Sequence, residues 1–269
     1  FSSAGFNASC GSYKRDSSWA YHLDFKPLID LFPTAYKFQY LFGDNVHIPD
    51  SPTFLKSRPI AEDYANANAV LLKLNSVRHY FIPRDHTSFQ NKKPLAVWRG
   101  IINREHRRQF VENCFTKSNC DIGNVGKSAE YAHWKKSFMS ISEQLKHRFV
   151  LSVEGKDVAT NLKWILASNS LCMMTKPKYE TWFMEGRLIP NVHYVELNTD
   201  YSDLEEKMAY YNTRPEEALK IIRSANAFVQ QFQNPQREFL ISLLVLDKYF
   251  SLSGQTSLLI NEPCQLSNI

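Results

Sequence analysis

The stretch RFVLSVEGKDVATNLKWILASNSLCMM, residues 148–174, decides the fold class. Arg148 to Val153 is an apolar, β-branched run that reads as a buried strand. Glu154 to Thr160 reads as a glycine-bearing loop. From about Asn161 to Ser168 the period changes, placing Leu162, Ile165 and Leu166 on one helical face. Leu171-Cys172-Met173-Met174 is the next strand. Strand, helix and strand at this spacing make a βαβ unit, and hence a parallel sheet in an α/β protein.

The same alternation extends outward. Upstream, Pro94-Leu95-Ala96-Val97-Trp98 reads as a strand that ends at Arg99-Gly100, and a helical pattern follows Asn103. Phe38 to Phe42 reads as a short strand closed by Gly43-Asp44-Asn45, and Ala69 to Leu74 as a strand or a short helix. Residues 1 to 24 read as irregular or loosely strand-like. Downstream, Val192 to Leu197 reads as a strand. Glu216 to Phe232 is a helix with Leu219, Ile222, Ala225, Val229 and Phe232 inward, broken at Pro235. Residues 237 to 250 form a last amphipathic helix expected to bury Phe239, Leu240, Leu243, Leu244 and Phe250. A polar, loose tail follows.

Composition sets limits. With 269 residues and 43% hydrophobic content, the chain can build a real core and is not disordered. The net charge of +5 suits an anionic ligand or lipid surface. No basic tract or zinc-finger spacing is present, so nucleic acid is not an expected partner. The five cysteines are Cys10, Cys114, Cys120, Cys172 and Cys264. Their odd number and wide spacing favour free thiols, with a Cys114–Cys120 bridge as the alternative. No apolar run reaches the ~18 residues of a membrane-spanning helix. Phe1 is not a natural start residue and reads as a processed or truncated start.

Two constellations carry chemistry. At Trp98-Arg99-Gly100, a strand end would let the backbone approach a ligand, the following helix start would offer N–H groups, and Arg107 would add a planar fork for a diphosphate. A basic surface helix start would look the same in sequence. At Glu154-Gly155-Lys156-Asp157-Val158-Ala159-Thr160-Asn161, followed by Lys163, a second loop leads into a helix start that can cradle phosphate. Thr160 or Asn161 can equally cap it as in any βα loop. Asp44 is a turn residue by pattern; as a base it would be a carboxylate at neutral pH, with an ordinary pKa of ~3.9. There is no D-x-D pair, Walker pattern, G-x-S-x-G or H-x-x-x-H. The eight histidines are scattered: His133 and His147 read as surface or helix positions, and His193 as part of a strand. No metal site is expected, and the charge work would fall to Arg, Lys and helix dipoles.

The chain resembles glycosyltransferase family 90 over roughly residues 36 to 250, and most of all its bacterial lipopolysaccharide branch. The resemblance rests on Val153-Glu154-Gly155-Lys156-Asp157 to Ser170, on Tyr179-Glu180-Thr181-Trp182-Phe183-Met184-Glu185-Gly186, and on Pro190-Asn191-Val192-His193-Tyr194-Val195. It implies a GT-B-like α/β fold of two Rossmann-type lobes with a C-terminal amphipathic helix. The lobes would be an acceptor-side lobe at 1–92 and a nucleotide-sugar lobe at 93–235, with the helix and tail at 236–269.

The resemblance also implies an inverting, metal-independent transfer of a hexose from a UDP-sugar, a co-substrate with no further cofactor, to a saccharide or glycolipid acceptor such as lipopolysaccharide core. Asp44 falls where the family places its catalytic base. Arg99-Gly100 matches the family's aromatic-Arg-Gly loop, Arg107 an arginine on the donor diphosphate, and Lys156 to Asn161 the loop around the nucleotide. Ile101, Asn161 and Gly43 depart from the animal members, which have Ser, Arg and Arg there. The hydroxyl contact at Ile101 would be lost, the phosphate contact at Asn161 would be lost or pass to Lys156 or Lys163, and the lost Arg before Asp44 favours a saccharide over a protein acceptor. The expected location is cytoplasmic, peripheral at the inner membrane. The rival readings are a protein O-glycosyltransferase of the secretory lumen, which an upstream signal peptide would support, and an inactive member that binds only nucleotide sugar or glycan.

Overall fold

The computed structural model describes residues 5–15 and 19–255; Cys264 and the expected loose tail lie outside them. In chain order the strands are β1 (Ala8–Ser9), β2 (Lys37–Phe38), β3 (Thr53–Leu55), β4 (Ser57–Pro59), β5 (Ala69–Leu71), β6 (Lys93–Gly100), β7 (Cys120–Asn124), β8 (His147–Leu151), β9 (Leu171–Met174), β10 (Tyr179–Thr181) and β11 (Val195–Glu196). The helices are α1 (Trp19–Ile29), α2 (Ser76–His79), α3 (Glu105–Cys114), α4 (Ile141–Gln144), α5 (Leu162–Leu166), α6 (Leu204–Thr213), α7 (Pro215–Gln230) and α8 (Pro235–Leu252). The chain divides into two compact units. One holds the described residues within 1–77, 179–183 and 234–269, and the other holds 78–178 and 184–233. The linear division at 92 and 235 expected from the sequence differs from this, because two later segments return to the first unit.

The second unit is built on a five-stranded sheet of order β11-β9-β8-β6-β7, with every neighbouring pair parallel. The βαβ unit read from residues 148–174 is β8-α5-β9, with Phe149 opposite Leu171 and Leu151 opposite Met173. Alternation along the strands sends Ala96, Trp98, Phe149, Leu151, Leu171 and Met173 into one core with α3, α6 and α7. Val97, Val150 and Cys172 point the other way and are also buried. A sheet covered on both faces explains the continuous apolar runs. The histidine readings need correction here: His147 opens β8 and is buried, and His193 sits in the turn before β11, its Nδ1 accepting from Ile189 N–H.

The first unit packs around aromatic rings. Phe25 meets Phe38 edge-on at 5.3 Å and Phe42 at 5.5 Å. Its strands are short: β1 pairs with β2, β3 with β5, and β4 with β10. Phe54 N–H donates to Gln39 and Leu41 N–H to Phe54, so the chain after β2 runs parallel beside β3. Residues 19 to 24, expected to be irregular or loosely strand-like, are helical, since α1 begins at Trp19.

Helix α8 overturns its expected orientation. Pro235 lies beyond the end of α7 at Gln230, as expected, and opens this helix, with the Asn234 side chain accepting from Arg237 N–H. Phe239, Leu240 and Leu244, expected inside, are exposed. Phe250 is buried as expected, but it is joined by Glu238, Ser242, Leu246, Asp247 and Tyr249. Glu238 is held by the Trp182 indole N–H at 2.7 Å. Asp247 Oδ1 meets no hydrogen-bond donor, and burial raises the pKa of this carboxyl above its ordinary value.

A carboxyl with a raised folded-state pKa costs nothing below its unfolded value of ~3.9. The cost grows as pH rises through the folded value. Asp247→Asn is therefore expected to stabilise the protein by about 1 kcal/mol at pH 7, with the gain closing toward pH 4 in paired thermal melts. An equal gain at both pH values would show that ionisation is not the cause.

Candidate active site

The sheet order fixes where a ligand crevice would lie. Strands β6, β7, β8, β9 and β11 stand in the order 2-1-3-4-5. After β6 the chain crosses through α3 to β7 on one side, and after β8 it crosses through α5 to β9 on the other. The carboxyl ends of β6 and β8 therefore flank the topological switch point, where open α/β sheets bind ligands. The two loops singled out in the sequence, at residues 98–107 and 153–161, are the two loops that leave these strands.

Arg107 joins them. Its Nε–H donates to Glu154 O at 2.8 Å, one Nη2–H to Val153 O at 2.9 Å and one Nη1–H to Ile101 O at 3.1 Å. The guanidinium carbon lies 5.7 Å from the centre of the Trp98 ring. Among the described residues no carboxylate pairs with it. Burial pulls its pKa below the usual value, opposed by Tyr201 nearby, yet an arginine remains protonated. The structure thus holds a positive charge between the two loops, with two of five N–H groups outside these three bonds. His106 Nε2 also pairs with Glu154 O at 2.8 Å.

The other expected residues divide sharply. Gly100 is needed because Trp98 folds over it: a Cβ there would sit 2.2 Å from the indole. That is a packing reason for glycine, independent of the expected approach of a ligand. Arg99 turns away along the sheet, donating to Asp121 Oδ1 at 2.9 Å, to Asp121 O at 2.7 Å and to Ser137 O at 3.1 Å. Asn161 does not cap α5. Its Nδ2 donates to Leu151 O at 3.0 Å and its Oδ1 accepts from Ser152 Oγ at 3.2 Å, so it ties the loop back to β8. Gly155 N–H donates to Asp157 O at 2.9 Å, closing a tight turn beside Arg107. Glu154 Oε1 accepts from Lys178 N–H at 3.0 Å. The Asp157, Val158 and Ala159 side chains are buried, whereas Lys156 and Thr160 are exposed at the loop surface. With five residues, α5 carries little helix dipole, so Lys156 is the stronger source of positive charge in this loop.

Lys163 needs correction as a phosphate contact. It is fully buried and its Nζ pairs with Glu185 at 2.8 Å, both side chains being 0% exposed. The pair ties the helix behind the loop to the 3-10 turn at Glu185–Arg187, entered through Met184 in the left-handed region at φ 55°. Lys163→Met would leave the Glu185 charge without its ammonium and is expected to cost about 3 kcal/mol of stability. Recovery is the expected signature: Lys163→Met with Glu185→Leu should be about as stable as the wild type in urea. Unchanged stability of the single variant would contradict it.

Asn124 and Tyr201 were not singled out in the sequence. Asn124 Oδ1, at the carboxyl end of β7, accepts from Ile102 N–H at 3.2 Å and Gly126 N–H at 2.9 Å, and so shapes the loop after β6. Tyr201 is buried against Phe110, 4.6 Å between ring centres. Among the described residues no set of three His, Cys, Asp or Glu side chains is grouped as metal ligands. Cys10, Cys114, Cys120 and Cys172 are free thiols, with Cys114 and Cys120 each pushed up to about 12, first by burial.

Asp44 belongs to the first unit. It follows Gly43, whose φ of +117° suits only glycine. Asp44 Oδ1 is 2.5 Å from Lys56 Nζ; the lysine is 2% exposed and the aspartate 43%. Asn45 fastens the same loop, its N–H donating to Ser57 Oγ at 3.2 Å and its Nδ2 to Leu41 O at 3.0 Å. The carboxylate is therefore fixed at its base and open to solvent at one side. Lys56 is a third residue the sequence did not mark.

Fold and site together define an α/β protein whose second unit is a doubly wound parallel sheet with its switch point between β6 and β8. Residues 68–253 match the profile of glycosyl transferase family 90, and the chain belongs to that family; it is a glycosyltransferase. It is 46% identical over 240 residues to the O-glucosyltransferase LpsA of Dichelobacter nodosus, which covers 89% of this chain and 75% of that protein. Protein O-glucosyltransferase 3 of Homo sapiens is 29% identical over 170 residues, 60% of this chain and 33% of the human protein. Protein O-glucosyltransferase 2 of Danio rerio is 28% identical over 148 residues, 53% of this chain and 29% of the fish protein. The chain thus spans about three quarters of the bacterial relative and about a third of each animal one.

Proposed function

We propose that this glycosyltransferase moves a glucosyl group from a UDP-sugar to a hydroxyl of a saccharide acceptor, lipopolysaccharide core being the preferred class, with inversion and without a metal. The observation that carries the reading is Arg107, a half-buried cation that joins the two loops flanking the switch point. A diphosphate seated there would meet the remaining guanidinium N–H groups, Lys156 and the backbone of both loops. The glucosyl assignment draws on the bacterial relative's name. In this reading the two units act as the lobes of a GT-B enzyme, the second holding the donor and the first supplying Asp44.

The step balances simply. The acceptor oxygen attacks the anomeric carbon, its proton passes to the Asp44 carboxylate, and the bond from that carbon to the β-phosphate oxygen breaks. The nucleoside diphosphate leaves with the electron pair. Charge develops on the leaving oxygen, where Arg107 and Lys156 would stabilise it. No helix of the described residues is long and apolar enough to cross a membrane, and the proposed setting is peripheral, at the cytoplasmic face of the inner membrane. The test is a panel of nucleotide sugars incubated with truncated lipopolysaccharide cores in the presence of chelator, read by mass. Transfer of one hexose from UDP-glucose is expected. Transfer that requires added metal, or that uses only another donor, would refute the corresponding part.

A further inference from the structure

Helix α8 is inverted relative to an ordinary surface helix. Arg237, Leu240, Ile241, Leu244, Lys248 and Leu252 recur at spacings of three and four and share its solvent side. Leu240 is 56% exposed, and Leu244 and Leu252 are each 52% exposed. Both acids of the helix, Glu238 and Asp247, are turned inward and buried. The outward stripe therefore carries four aliphatic side chains and two bases and no acid. Helix α1 packs against α8 and adds exposed Trp19 and Leu23, with the Arg15 guanidinium 3.9 Å over the Trp19 ring.

We infer that the outward stripe of α8 docks on an anionic lipid surface. An apolar stripe edged by bases is the pattern of a helix lying in the plane of a membrane interface, its aliphatic chains among the acyl groups and its bases on lipid phosphates. Charge decides against a second copy of the chain. A twofold contact would pair this stripe with itself and bring four bases and no stripe acid to one seam; the one acid near them, Glu238, is buried and reaches Arg237 of its own helix at 3.5 Å. Burial of Glu238 and Asp247 removes the repulsion that would otherwise oppose anionic headgroups. The inference deepens the proposed peripheral setting but stands apart from the donor chemistry, because none of these residues belongs to the donor loops or to Asp44.

The experiment is sedimentation of the full chain with vesicles of phosphatidylcholine alone or with phosphatidylglycerol. The wild type should bind the anionic vesicles and release as salt is raised. Leu240→Ser with Leu244→Ser, and separately Arg237→Gln with Lys248→Gln, should each weaken binding by about tenfold or more. Melting temperature and UDP affinity should be unchanged. Equal binding by the variants would overturn the inference. So would a wild-type dimer in light scattering that the leucine variant dissociates, or vesicle binding that appears only after residues 256–269 are removed. Failure of transfer with intact vesicle binding would count against the proposed reaction and not against this surface.

Discussion

Asp44→Asn is expected to slow glycosyl transfer by about 10²–10⁴-fold, the range for loss of a positioned general base. The affinity for UDP should stay within about twofold, since Asp44 is not among the loops proposed to hold the donor. Asparagine keeps the shape and hydrogen bonds of the side chain but cannot take the acceptor proton. The loop itself should survive, because Asn45 and Ser57 fasten it independently of the carboxylate. Lys56 makes the prediction sharper. It is buried and fixes the orientation of Asp44 at 2.5 Å, so Lys56→Met should lower turnover by releasing the carboxylate, with a change in the pH profile that a purely structural defect would not produce. Full activity in Asp44→Asn would remove it as the base and leave the proton to another group.

How much of this was legible follows from range. The βαβ unit at 148–174 could be read because both faces of its sheet are buried, which writes uninterrupted apolar runs into β8 and β9. Strand β6 was legible for the same reason. Helix α8 misled because its apolar residues outnumber its polar ones all round, so that the apolar pattern alone does not say that Glu238, Ser242 and Asp247 are the ones buried. Periodicity finds the two faces of a helix; here the partner of Glu238, the Trp182 indole, lies 56 positions away and decides which face goes inside. At the site, the loops were legible as strand-to-helix junctions, but side-chain direction was not. Lys163 and Glu185 are 22 positions apart, Asp44 and Lys56 are 12 apart, and neither pair leaves a local pattern. Arg99 and Arg107 looked alike in sequence. Register sends Arg99 along the sheet to Asp121, and one turn of helix sends Arg107 back over Trp98 between the two loops.

Arg107 carries the second large effect, and two roles must be separated in it. As a strut it satisfies the carbonyls of Ile101, Val153 and Glu154 at once. Three separate acceptors need a planar fork, and a lysine ammonium cannot span them. As a charge, it would stabilise the leaving diphosphate, and one such donor is worth about 2.7–4 kcal/mol in the transition state. Arg107→Ala should therefore lose about 10²–10³-fold in turnover and also weaken UDP binding and lower stability. Arg107→Lys separates the two roles: it restores the charge without the fork, so it should recover part of the UDP affinity while stability stays low. If Arg107→Ala loses stability but keeps UDP affinity and turnover, the arginine is a strut alone. The diphosphate would then have to be held by Lys156 and backbone N–H groups, and Lys156→Ala would become the variant that abolishes binding.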